Sequence, residues 1–125
     1  MYLDIAIVYV AFLYLLSLHV FEEIEFGIFK LKVHNQELGR TKYLLGASLI
    51  NTITFSSLFF LLLEYNFALY MILFSSLFFG VLQFFVHSFG FIKNGTKSFG
   101  KGFYTAILLG LLGSYMAWIT LMEIL

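Results

Sequence analysis

The chain has 125 residues, of which 62% are hydrophobic, 21% aromatic and only 11% charged, and its seven basic and seven acidic side chains cancel. A soluble domain of this size leaves much of its surface in water and cannot hide so much apolar area, so the composition calls for lipid as solvent. The neutral balance excludes the basic field of a nucleic-acid binder, and the absence of cysteine excludes disulfides, thiolate metal sites and thiol nucleophiles.

A hydrocarbon core roughly 30 Å thick needs about 20 apolar residues of helix. Four segments meet that need, and without proline each can run unbroken. They predict an all-α, polytopic integral membrane protein: four transmembrane helices in a small bundle that forms one membrane domain over 1–125. The first, near 3–24, is apolar from Ile5 to Phe21 apart from Ser17 and His19. It lacks a basic n-region and a small-residue cleavage site, so it reads as a retained helix and not as a secretory signal. In the polar loop 25–42, Ile28, Phe29, Leu31 and Val33 are mixed with charges, which predicts an amphipathic segment on the membrane surface.

The second segment, near 43–64, carries Asn51 and several Ser and Thr, and Glu64-Tyr65-Asn66 reads as a tight turn. The third lies near 67–91, a polar loop covers 93–102, and the fourth lies near 103–123. In the fourth, Ala106, Gly110 and Ser114 recur every fourth residue beside Gly113, a small-residue face expected to pack inside the bundle more than to form a dimer. All the basic residues fall in or beside the two long loops: Lys30, Lys32, Arg40 and Lys42 in one, Lys93, Lys97 and Lys101 in the other. Asp4, Glu64 and Glu123 mark the opposite side, so both loops are expected to be cytoplasmic and both termini outside.

Ionisable groups at membrane depth are costly and point to function. On a helix, Glu22 lies about 60° to one side of His19 and Glu23 about 40° to the other, so the three share a face. His87 is expected at the same depth near the end of the third helix, with Gln83 one turn earlier on the same face. Tyr104 and Thr105 open the fourth helix at that level, and Asn51 comes from deeper in the second. Imidazole with carboxylate suits zinc, manganese or iron, with His19, Glu22 and His87 as ligands and Glu23 as general base or further ligand. Ring nitrogens more than about 5 Å apart would rule that out. The competing reading makes Glu22, Glu23 and Glu25 solvated charges paired with Lys30, Lys32 or the lysines of the third loop. His34, three residues before Glu37, reads as a surface histidine, and Asn51 as an interhelical hydrogen bond.

His19-Val20-Phe21-Glu22-Glu23 resembles the signature of the HXXEE-motif membrane proteins, small bacterial and archaeal integral membrane proteins without an assigned function. The family pattern continues with a polar residue and a His late in the third helix, matched by Gln83, which stands where Asn is expected, and by His87, and with Tyr-x-Pro-Gly-x-x-Thr-Ala opening the fourth. Phe99-Gly100-Lys101-Gly102-Phe103-Tyr104-Thr105-Ala106 matches that stretch, with Phe99 in place of Tyr and Lys101 in place of Pro. The resemblance implies that His19, Glu22, Glu23 and His87 belong to one site in a bacterial or archaeal cytoplasmic membrane. It supplies no reaction.

Two functions remain open on these residues. One is a metal-dependent enzyme of the cytoplasmic leaflet acting on a lipid or other amphiphile. The other is a non-catalytic membrane subunit, for ion or proton transport or for assembly of a larger transporter complex, in which the same Glu and His relay protons or dock a partner. The bilayer is the expected partner in both, and a homo-oligomer or larger membrane complex is open in both.

Overall fold

The computed structural model describes residues 2–95, 97 and 100–125. It contains four long helices: α1 (Leu3–Glu25), α2 (Arg40–Leu62), α3 (Phe67–Asn94) and α4 (Phe103–Ile124). Each is long and apolar enough to cross a membrane. The protein is thus the all-α, four-helix membrane bundle that its composition predicts. Phe21, Leu45, Phe89, Ile92 and Trp118 stand exposed on its outside, as side chains solvated by lipid do.

Tyr9, Phe12, Ile72, Leu109 and Met116 form the centre of the core and are wholly buried. They come from α1, α3 and α4. Helix α2 is peripheral, with 17% of its spanning window buried against 39% for α1 and for α4. Its buried residues, Thr54, Ser57 and Leu61, all lie in its second half, so its first half stands away from the bundle. Hydroxyls inside the helices bond their own backbone: Ser57 Oγ donates to Ile53 O at 2.8 Å and Ser76 Oγ to Ile72 O at 2.7 Å.

Helices α3 and α4 touch backbone to backbone. A Cβ on Gly113 would stand 2.8 Å from Ser76 O and 2.9 Å from Gly80 Cα. Ala106 and Gly110 are buried on this side, but Ser114 is exposed and donates to Gly110 O at 2.7 Å. The small-residue face therefore turns inward through Gly113, and Ser114 takes no part in the seam. Opposite it, α3 widens to a π-helical stretch over Ser76–Leu82. A π turn takes up about one more residue than an α turn, so the faces of α3 before and after it are out of step.

The amphipathic segment after α1 takes the form of a turn and a hairpin. Gly27, left-handed at φ 72°, closes α1, and a single turn at Ile28–Lys30 leads into a hairpin of β1 (Lys32–Val33) and β2 (Gln36–Glu37). His34 and Asn35 have φ of 52° and 64°, the signature of a two-residue hairpin turn, which leaves no length for a helix. Ile28 and Leu31 are buried beneath this hairpin.

The two long loops meet at one end of the bundle. Lys101 Nζ donates to Phe26 O at 2.7 Å, and the Glu22 carboxylate accepts from Tyr104 N at 3.1 Å and Thr105 N at 2.8 Å. A cation thus closes the C-terminus of α1 and a carboxylate the N-terminus of α4, each the sign that the helix dipole favours.

Candidate metal centre

His19, Glu23 and His87 converge between α1 and α3. His87 Nε2 lies 3.4 Å and His19 Nε2 3.6 Å from the same Glu23 Oε1. The imidazoles pack edge to face, with ring centroids 4.6 Å apart and planes at 86°. One donor atom from each residue falls within 4.8 Å of the other two, inside the limit for sharing an ion. Donors about 2.0–2.1 Å from a tetrahedral zinc stand roughly 3.3–3.5 Å apart, close to the separation of each histidine from Glu23. The three side chains can hold a metal ion. Both histidines are almost fully buried, at 3% and 2% exposure.

The surroundings orient two of the three. Glu22 points away from the imidazoles and caps α4, taking the Thr105 hydroxyl proton as well as the two backbone N–H groups. Thr105 has one hydroxyl hydrogen and a carboxylate can only accept, so that hydrogen goes to Glu22. The Thr105 oxygen then accepts from His19 Nδ1, 2.8 Å away. This fixes the tautomer: His19 carries its proton on Nδ1 and turns the Nε2 lone pair toward Glu23. Histidine, hydroxyl and carboxylate reproduce the chain of contacts by which proteins orient metal-ligating histidines. On the other side, Tyr43 Oη donates to Glu23 Oε2 at 2.6 Å and holds the carboxylate with Oε1 toward the rings.

Gly102 belongs to this shell. Its φ of 85° is left-handed, and a Cβ there would fall 2.7 Å from His19 Cε1 and 2.9 Å from Glu23 Cγ. Glycine is thus required twice over, by backbone and by space.

Of the residues singled out in the sequence, His19, Glu23 and His87 form the convergent group, and Gln83 lines the clefts beside it. Glu22 and Thr105 stand behind His19. Tyr104 contributes its backbone N–H while its side chain lies exposed against Phe26 and Phe91. Asn51 is half-buried and does not line the cleft, whose α2 wall is Lys42, Tyr43, Gly46, Ala47 and Ile50. His34 sits at the exposed hairpin tip, outside the group. Phe99 lies outside the described residues. Among the described residues no lysine or arginine pairs with Glu22 or Glu23, and the ion pairs of Glu23 are to the two histidines. Sequence reasoning missed Tyr43, whose only signal was a tyrosine at a helix start near the membrane surface. It met Gly102 only through the motif that opens the fourth helix.

Comparison with protein-family models, with curated proteins and with solved structures finds no match to this chain.

Proposed function

We propose that this protein is a metal-dependent membrane enzyme in which His19, His87 and Glu23 ligate a divalent transition metal, acting on a lipid or another amphiphile. One observation carries the reading. With Nδ1 donating to Thr105, His19 directs a lone pair at a carboxylate oxygen 3.6 Å away, and the buried Nε2 has no hydrogen bond. Two acceptors facing each other beside buried rings repel unless a proton or a metal ion lies between them. The separation is too long for a hydrogen bond from imidazolium to carboxylate and fits two ligands of one ion.

Two histidines and a glutamate leave a position for water or substrate, as catalytic zinc sites do, and the same donors suit manganese or iron. When bound, the ion supplies Lewis acidity and an activated water. Relative to the expectation from sequence, the ligand role passes from Glu22 to Glu23, which was expected as general base or further ligand, and Glu22 acts through Thr105 to orient His19. An amphiphile is favoured because the cleft beside the centre is apolar along Leu16, Val20, Ile50 and Phe79 and polar along His19, Glu23, Lys42, Tyr43 and Gln83. The basic loops around this end favour the cytoplasmic leaflet, with both termini outside. We also propose that the chain belongs with the HXXEE-motif membrane proteins, because His19, Glu22, Glu23, His87, Gly102 and Thr105, which carry the resemblance, gather around one centre.

Elemental analysis of the purified protein tests the reading. One transition metal per chain is expected, retained in His34→Ala and lost in His19→Ala and His87→Ala. A wild-type protein that takes up no zinc, manganese or iron would falsify it.

A further inference from the structure

Glu23, Leu38, Tyr43 and Gln83 are a wall common to two clefts. The first lies between α1 and the splayed half of α2, holds about 260 Å³ and is lined further by Leu16, Val20, Ala47, Ile50 and Phe79. The second lies beneath the hairpin against α3, holds about 320 Å³ and is lined further by Ile28, Leu31, Phe78, Leu82 and Val86. His19 lines the first and His87 the second, while Glu23 lines both. Both volumes sit at the lower end of the roughly 300–1,000 Å³ typical of ligand pockets, so neither suits a bulky amphiphile by itself.

We propose that the two clefts take the two acyl chains of one anionic phospholipid from the surrounding bilayer, with its ester linkages at Glu23. This deepens the enzymatic reading and rests on it for the role of the ion, though not for the binding itself. The chain number follows from the arrangement: two largely apolar clefts meet at a shared wall whose polar side chains are Glu23, Tyr43 and Gln83, and a single-chain amphiphile would fill only one. Bilayer lipid is the source because Phe78 and Leu82, which line the second cleft, are also exposed where lipid solvates the helices, so a chain slides in without leaving the apolar phase. The head-group charge follows from Lys42, the cation on the first cleft, while Glu23 is the only acidic residue lining either cleft. An anionic head finds a partner there, whereas a choline or ethanolamine ammonium would face a like charge.

Native mass spectrometry of the detergent-purified protein, given equal amounts of diacyl phosphatidylglycerol, its single-chain lyso form and diacyl phosphatidylcholine, tests this. One diacyl phosphatidylglycerol per chain is expected, retained about tenfold better than either competitor. Ala47→Trp and Val86→Trp, each filling one cleft, should abolish the preference for two chains over one, and Lys42→Gln the preference for glycerol over choline. Equal retention of the lyso and diacyl forms by the wild type overturns the two-chain assignment, and equal retention of choline and glycerol lipids overturns the anionic one. Running the panel on metal-stripped and zinc-treated protein separates the two readings. Selective lipid retention in protein that never takes up metal leaves this inference standing and removes the metal centre, and metal uptake without lipid selectivity does the reverse.

Discussion

The two sides of the bundle use glycine in opposite ways. Between α3 and α4, Gly80 and Gly113 bring backbones so close that a single added carbon has no room. Between α1 and α2, Gly46 has nothing within 4 Å of where its Cβ would be, and it lines an open cleft. Lipid tails are as apolar as leucine, so helices in a membrane are held by close packing and not by exclusion from water. The seam is therefore the strong side and the cleft the weak one. The candidate metal centre lies across the boundary: its ligands project from α1 and α3 and its positioning residue Thr105 from α4, all on the tight side, and only Tyr43 reaches it from loosely packed α2. A ligand set on rigid elements beside a movable wall is what binding an ion and admitting a large substrate together require.

Breaking the seam should have the largest effect. Gly113→Leu forces side-chain atoms against Ser76 O and Gly80 Cα, and overpacking of this kind costs about 1–3 kcal/mol where neighbours can shift. Here the neighbour is backbone, so thermal unfolding in detergent should show a loss at or beyond the upper end of that range. Gly46→Ala makes the comparison sharp, since it meets nothing and replaces a helix-interior glycine. It should raise stability by up to about 1 kcal/mol. Equal destabilisation by both would show that the two sides are not packed differently.

Much of this architecture could be read from the chain because lipid imposes a simple rule: apolar runs without proline had to be helices. The convergence of His19, Glu23 and His87 was legible for a related reason, since a helix face and a common depth are properties of spacing. What spacing could not give was the choice between Glu22 and Glu23, which flank the His19 direction almost symmetrically. That choice is made by the start of α4, whose N–H groups draw Glu22 away, and a contact across 82 residues leaves no trace in local periodicity. Nor could it give the π turn over Ser76–Leu82, which shifts the phase of α3 before Gln83 and His87. The form of the segment after Gly27 was not legible, because apolar residues mixed with charges mark a surface segment without saying that it folds back as a hairpin.

The next effect down concerns orientation on the tight side. Thr105→Val keeps the shape of the side chain but removes the hydroxyl that links His19 to Glu22. His19 Nδ1 loses its hydroxyl acceptor, and the lone pair of Nε2 is then held less firmly toward Glu23. Substitutions in such supporting contacts weaken metal binding about 10–100-fold. Competition against a fluorescent zinc chelator should find a loss in that range, with Thr105→Ser, which restores the hydroxyl, returning most of it. A loss that serine fails to recover would mean that Thr105 acts through packing alone.

Tyr43→Phe probes the loose side and should affect the metal least. It removes the 2.6 Å hydrogen bond to Glu23 Oε2 but leaves the carboxylate and both imidazoles in place, so affinity should fall by less than the Thr105→Val loss, about tenfold at most. Its larger consequence should be mechanical. Tyr43 is the polar tie between the first half of α2 and the centre, whereas Thr54, Ser57 and Leu61 anchor the second half by burial. Spin labels placed on exposed Leu45 and Val10, and in a second pair on Leu62 and Leu3, would read the two halves separately. The distance distribution of the first pair should broaden in Tyr43→Phe while that of the second stays unchanged. Broadening of both pairs together would mean that α2 moves as one rigid rod, and the cleft would then open along its whole length instead of at the end that holds the candidate metal ligands.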